Sequence, residues 1–187
     1  MDTTRCLREE HQVILRILDC FEIAIERARK AGRAPAEVFA PFVEFFVGYA
    51  DKCHHCKEED RLFPQLERQG IPRDGGPIGC MLREHEQGRA HMRVIAEAID
   101  PADRGDENAM QRIFYEGDRY IELLRNHIAK EDGVLFQMAD EVVQGASLAQ
   151  LKAGYTEVES DPDYTATLTR CRVIAEKLIE TYMPMQA

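Results

Sequence analysis

The sequence predicts an all-α protein built as an up-down-up-down four-helix bundle with a C-terminal helical extension. Three observations predict it. Apolar residues recur at spacings of three and four along four long stretches. Short segments rich in Gly and Pro separate those stretches, and the alternation typical of β-strands is scarce. The chain of 187 residues is also long enough to bury a sizeable core.

The first helix is predicted at about 4–31, with Thr3 or Thr4 as its N-cap and Gly32 as its C-terminal stop. His11 stands in its apolar stripe, where the spacing calls for an apolar residue. The other members of that stripe are Leu7, Ile14, Leu18, Phe21 and Ile25.

Three more helices complete the predicted bundle, at about 35–69, 78–99 and 107–143. Segments 71–79 and 100–106 are predicted loops because of their Pro and Gly content. Histidines stand in the apolar stripes of these helices as well. The stripe predicted for the fourth helix is Ile113, Tyr120, Leu124, His127, Glu131, Val134 and Met138.

Two regions are expected along the chain. Residues 1–143 form the bundle, and residues 144–187 form an extension whose two helices, at 147–159 and 163–182, pack on it. The extension has an apolar stripe but no histidine, so we interpret it as structural.

The central motif is a histidine followed four residues later by a glutamate. His54 and Glu58 form one copy, and His127 and Glu131 form another, 73 residues further on. Both copies read H-x-x-K-E-x-x-x-L-F. Residues i and i+4 share one face of a helix, so the imidazole and the carboxylate can reach a common metal ion.

Each bundle helix therefore places one histidine in its core stripe, and two helices add a glutamate. These candidate metal ligands are His11, His54, Glu58, His85, His127 and Glu131. Burying two unpaired carboxylates costs several kcal/mol each, and metal ions remove that cost. The two similar halves predict a site for two metal ions with the glutamates as bridges. A nitrogen and oxygen donor set without thiolate favours iron, with manganese or zinc as alternatives.

The register of the second helix leaves one alternative open. His55 and Glu59 also form an i, i+4 pair, but one and two turns before His55 the helix face is polar, whereas the face before His54 is apolar. The sequence repeat favours His54 and Glu58 too. His55 and Glu59 are then expected around the ligands or at the surface, and His91 is expected to be exposed.

Charge and composition exclude several functions. A formal net charge of −10 disfavours binding to nucleic acids or anionic membranes. No apolar run reaches the length of a membrane span, and the charged N-terminus argues against a signal peptide, so a cytoplasmic location is expected. The six cysteines are then expected to be free thiols. Whether Cys53 and Cys56, a C-x-x-C pair, have a zinc or redox role stays open.

The two motifs, with His11 and His85 in the preceding helices, resemble the hemerythrin-like, HHE cation-binding domain family over about residues 5–143. The resemblance implies a four-helix bundle with a carboxylate- and oxo- or hydroxo-bridged di-iron centre. Oxygen-carrying members have a histidine where this chain has Arg89, and their last motif is H-x-x-x-x-D. The chain is thus more similar to members with four histidines and two glutamates, which are associated with iron or oxygen sensing, nitrosative-damage repair, and peroxide or NO handling.

Two functional hypotheses follow from this resemblance, and a third does without it. The first is a di-iron protein that binds or senses iron, O2 or NO, with the acidic surface or the C-terminal helices docking a second copy or a protein partner. The second is a di-iron enzyme that handles peroxide or NO. The third is a structural bundle whose histidines bind no metal tightly.

Overall fold

The computed structural model describes residues 3–183, in which helices are joined by turns and loops and no strand occurs. The six helices are α1 (Arg5–Ala31), α2 (36–68), α3 (Pro77–Asp103), α4 (107–142), α5 (Gly145–Glu159) and α6 (Pro162–Tyr182). In the described part of the chain, none of these helices has the length and apolar character that a bilayer crossing requires.

Two of the helices change their winding along their length. In α2, α-helical segments at Ala36–Phe45 and Phe63–Arg68 flank π-helical segments at Phe46–His55 and Glu58–Leu62. In α4, one π-helical segment at Glu131–Leu135 separates the α-helical segments Glu107–Lys130 and Phe136–Val142. The π-helical segments therefore coincide with the repeated histidine and glutamate motif.

Most of the predicted helix ends are confirmed. Helix α1 ends at Ala31, and Gly32 adopts the left-handed conformation (φ 64°) that lets its N–H bond back to the last carbonyls of the helix. The predicted end of α3 is wrong, because the helix continues through Pro101 to Asp103. A proline so near the end of a helix removes only one backbone hydrogen bond, and buried Ala102 anchors the extra turn.

The apolar core consists of two clusters along the helices. The larger one is rich in phenylalanine, and its Phe21 ring lies 4.9 Å from Phe42 and 5.6 Å from Phe46 between ring centres. The smaller one includes Leu7 and Leu135. On α1, His11 lies between members of the two clusters. The core thus leaves a buried polar layer at that level.

Helices α5 and α6 pack against the other helices. The α6 residues Cys171, Ala175 and Leu178 belong to the larger cluster, and the α5 residues Leu148 and Leu151 belong to the smaller one. Both helices therefore bury apolar surface against α1–α4. A separate domain boundary after residue 143 stays a prediction.

Replacing Phe21 with alanine should destabilise the metal-free protein by about 3–5 kcal/mol, because the ring is fully buried and its removal leaves a cavity. Urea unfolding followed by circular dichroism measures the change. Tyr115→Ala is the control, since that side chain is 63% exposed and its loss should be close to neutral. Similar losses for the two variants would contradict this description of the core.

Candidate metal centre

The structure brings all six predicted ligands into one buried cluster. Each of His11, His54, Glu58, His85, His127 and Glu131 has at most 1% of its surface exposed. The imidazoles form two pairs: the Nε2 atoms of His11 and His54 are 3.0 Å apart, and those of His85 and His127 are 3.1 Å apart. Helices α1 and α2 supply the first pair, and α3 and α4 supply the second.

Each glutamate lies between the two imidazole pairs. The two carboxylate oxygens of Glu58 lie 3.5 Å from Nε2 of His54 and 3.5 Å from Nε2 of His85. Oε2 of Glu131 lies 3.2 Å from Nε2 of His11 and 3.2 Å from Nε2 of His127. Both carboxylates thus contact one histidine of each pair, which is the arrangement that a bridging ligand needs.

The four oxygens of Glu58 and Glu131 are buried and have no hydrogen-bond partner of good geometry. Carboxylates in such surroundings cost several kcal/mol each unless a cation compensates them. Two groups of residues present ligand atoms within 4.8 Å of one another. One group is His11, His54, Glu58 and Glu131, and the other is His55, Glu58, His85 and His127. The cluster therefore suits metal ions that take nitrogen and oxygen donors.

A second layer of carboxylates fixes the orientation of the four imidazoles. Each Nδ1 lies within hydrogen-bond distance of an acidic side chain from a neighbouring helix. The pairs are His11 with Asp132 (2.9 Å), His54 with Glu10 (2.9 Å), His85 with Glu59 (2.6 Å) and His127 with Glu84 (3.0 Å). An Nδ1–H that donates outward leaves the lone pair of Nε2 facing the cluster, which is how metal-binding histidines are usually oriented.

The lysines of the repeated motif hold this second layer. Lys57 forms an ion pair with Glu10, and Lys130 forms one with Glu84. Both lysines belong to the predicted motif but had no expected role, and neither glutamate was predicted to be part of the site. A signal for the glutamates exists, because each of them directly precedes a ligand histidine, as Glu-His, in both halves of the chain.

The structure also brings His55 to the cluster. The residue is 6% exposed, its ring stacks on that of His85 with the ring centres 3.8 Å apart, and its Nδ1 lies 3.3 Å from Oδ1 of Asp51. His55 was expected around the ligands or at the surface. In a π-helix the wider turn reduces the angle between successive residues, so neighbouring His54 and His55 both face inward. Glu59 lies outside the cluster and contacts His85.

The π-helical segment of α4 shows that the expectation for Val134 was wrong. Val134 was predicted in the buried stripe, but it is 52% exposed and Leu135 is buried instead. The change of winding at Glu131–Leu135 advances the inward face by one residue.

His91 was predicted to be exposed, but the structure shows it half-buried. Its Nδ1 lies 2.5 Å from Oε2 of Glu116, and it lies outside the cluster.

The metal-free cluster is expected to hold protons where metal ions would bind. Burial, and then the charge of Glu131, raises the pKa of Glu58 well above its usual range. Burial disfavours the charge on Glu131, but the imidazolium of His127 and then His11 outweigh it and hold the Glu131 pKa well below its usual range. Burial likewise opposes protonation of His127, yet the Glu131 charge raises the His127 pKa to about 9.

Metal binding to the metal-free protein should therefore release protons, and the metal affinity should increase as the pH rises. The His127 pKa is about 9, so below that pH the imidazole carries a proton that a metal ion must displace. The metal affinity therefore increases as the pH approaches that value. Zn²⁺, which is redox-inert, is a suitable probe. Calorimetry in two buffers with different ionisation enthalpies measures the protons released. An affinity that does not change between about pH 6 and pH 8 would contradict this protonation pattern.

Comparison with known proteins agrees with this geometry. The family described as the hemerythrin HHE cation binding domain matches residues 2–139. Proteins of Mycobacterium tuberculosis and Mycobacterium bovis, both described as uncharacterized, are 26% identical over 154 residues, which is 82% of this chain and 59% of theirs. The chain thus spans about three fifths of the length of these relatives.

The iron-sulfur cluster repair protein DnrN of Neisseria gonorrhoeae is 30% identical over 125 residues, which is 62% of this chain and 77% of DnrN. No solved structure matches the chain at a comparable level of significance. The family match covers most of the chain, including every histidine and glutamate of the buried cluster. The chain belongs to the hemerythrin HHE cation-binding domain family.

Proposed function

We propose that the protein is a di-iron protein that binds or senses a small ligand, O2 or NO. The observation that carries this proposal is that Glu58 and Glu131 each lie between two imidazole pairs without hydrogen-bond partners. In this proposal His11 and His54 would hold one iron ion, and His85 and His127 would hold the other. Glu58 and Glu131 would supply the carboxylates between them. We also propose that α1–α4 form an up-down-up-down bundle around them.

The donor set supports iron over other metals. The two groups of ligand atoms contain imidazoles and carboxylates and no thiolate, which disfavours a closed structural zinc site. Imidazole suits iron, and carboxylate suits harder cations, so the mixture fits an iron pair. Bound iron supplies reversible electron transfer and coordination positions for a small ligand. Manganese and zinc are the alternatives that metal analysis tests.

The protein itself contributes burial and orientation. The apolar clusters on both sides of the site keep bulk water away from the carboxylates. Outer carboxylates such as Glu10 and Glu84 hold the imidazoles in one tautomer, and Lys57 and Lys130 hold those carboxylates. The site is therefore arranged before metal binds, which favours selective binding of metal ions of the right size and charge.

A second candidate function is enzymatic, namely turnover of peroxide or NO or repair after nitrosative stress. Its support is the similarity to DnrN, which is described as an iron-sulfur cluster repair protein. The acidic surface, with a formal net charge of −10, supports a protein partner or a second copy over nucleic acids and anionic membranes. We place the protein in the cytoplasm as part of the same proposal.

Elemental analysis of protein purified without chelators or a histidine tag tests the centre. We expect about two iron ions per chain and an absorption spectrum that changes on exposure to air. The variant His54→Ala/Glu131→Ala should lose both the iron and the spectrum. His91→Ala is the matched control, because that imidazole lies outside the cluster and the variant should keep its metal. Absence of metal, or zinc held equally well by the double variant, would contradict the proposal.

The same iron-loaded protein distinguishes the two candidate functions. A single stoichiometric reaction with NO or O2 supports binding or sensing. Repeated consumption of peroxide or NO with an added electron donor supports the enzymatic alternative.

A further inference from the structure

We infer that the small ligand reaches the centre from one side only, through an apolar cavity between α2, α3 and α4, and contacts His55 in the half that contains His85 and His127. This inference rests on the proposed function and adds to it the route, the half of the site and the residue that meets the ligand.

The cavity has a volume of about 330 Å³ and extends to His55. Apolar side chains and one glycine form most of its wall: Phe46, Val47, Gly88, Met92, Tyr120 and Leu124. Its polar lining includes Asp51, Glu84 and Arg89. Since His55 and Glu84 both border the cavity, and Glu84 orients His127, the cavity leads to one half of the centre.

His55 differs in geometry from the four predicted ligands. Its ring lies nearly parallel to that of His85, at 15°, whereas the rings of His85 and His127 are inclined by 64° and those of His11 and His54 by 57°. The stacked ring of His55 lies beside that of His85, and His55 is the histidine that borders the cavity. Asp51 holds His55 through its Nδ1 at 3.3 Å. We therefore assign His55 as a residue that contacts the ligand next to the metal ions.

The other half of the centre is covered by the C-terminal helices. Lys57, which supports His54 through Glu10, is fully buried and also pairs with Glu159 of α5 at 3.4 Å. Its counterpart Lys130 has 42% of its side chain exposed. The two halves repeat the same motif, so this difference comes from the extension.

A larger cavity, of about 660 Å³, lies between α2 and helices α5 and α6, but it does not lead to the centre. Its wall includes Cys53, Cys56 and Tyr164 and none of the residues of the metal-binding groups. Of these two cavities, it is therefore the one beside His55 that is lined by a member of the metal-binding groups.

The lining indicates the class of ligand. The wall is mainly apolar, and Arg89 is engaged by Asp51 at 2.8 Å and by Glu59 at 2.7 Å. The other arginine of the lining, Arg93, is exposed to solvent. Weakly hydrated, uncharged molecules partition readily into such a space. We therefore assign the cavity to a neutral diatomic ligand, O2 or NO.

Filling the cavity tests the route. A Cβ at position 88 would lie 3.4 Å from Tyr120 Cε2, an ordinary contact, so Gly88→Ala should fold and Gly88→Leu should project further into the cavity. Stopped-flow mixing of the iron-loaded proteins with NO measures the association rate. Gly88→Ala should lower that rate slightly and Gly88→Leu severalfold, and both variants should keep the wild-type iron content. Thr167→Leu, which fills the other cavity, is the control and should associate like the wild type.

A second variant tests the role of His55. His55→Gln should keep the wild-type iron content and release NO faster, because it loses an imidazole beside the ligand. Loss of an iron ion in His55→Gln would make His55 a metal ligand and overturn the assignment. Unchanged association in Gly88→Leu, or slowing by Thr167→Leu alone, would overturn the route. Iron-free wild-type protein, or iron-loaded protein that binds neither NO nor O2, would overturn the proposed function as well, whereas the contrary results for the Gly88 and His55 variants would overturn only this inference.

Discussion

The burial of Glu58 and Glu131 without hydrogen-bond donors is the constraint on which the rest of this structure depends. Two carboxylates in an apolar interior need compensating positive charge, and the groups in contact with them that can supply it are the imidazoles or bound cations. The imidazoles in turn need outer carboxylates to orient them, and those carboxylates need the lysines of the motif. Charge thus alternates outward from the centre, so each layer of the site requires the next one.

The same arrangement appears twice, once in each half of the chain. In each half a Glu-His pair on one helix meets an H-x-x-K-E motif on the next, and the acidic residue after that motif reaches back to the histidine of the other half. Asp132 serves His11 in this way, and Glu59 serves His85. The helices are therefore tied into a ring by hydrogen bonds. Two features break the symmetry: His55, at a position of the motif where the second copy has Ile128, and the C-terminal helices, which cover one half.

Much of this could be predicted from the sequence, because apolar periodicity is a long-range and redundant signal. It located the helices within a few residues and identified six polar positions that the structure brings together. Three things could not be predicted, for physical reasons. Periodicity arguments assume a constant turn, so the π-helical segments misplaced Val134 and hid the inward position of His55. The outer carboxylates depend on packing between helices, and the cavity depends on the space that side chains leave empty.

The central claim is that Glu58 and Glu131 join two iron ions in one coupled centre. Low-temperature Mössbauer spectroscopy of protein loaded with isotopically enriched iron tests this claim most directly, because exchange through bridging ligands changes the magnetic ground state. The account predicts two inequivalent iron sites with a coupled, diamagnetic ground state in the oxidised protein, and weaker coupling in Glu58→Gln, in which Glu131 is the remaining carboxylate. Magnetically isolated ferric ions, or a single iron site, in the wild-type protein would contradict it.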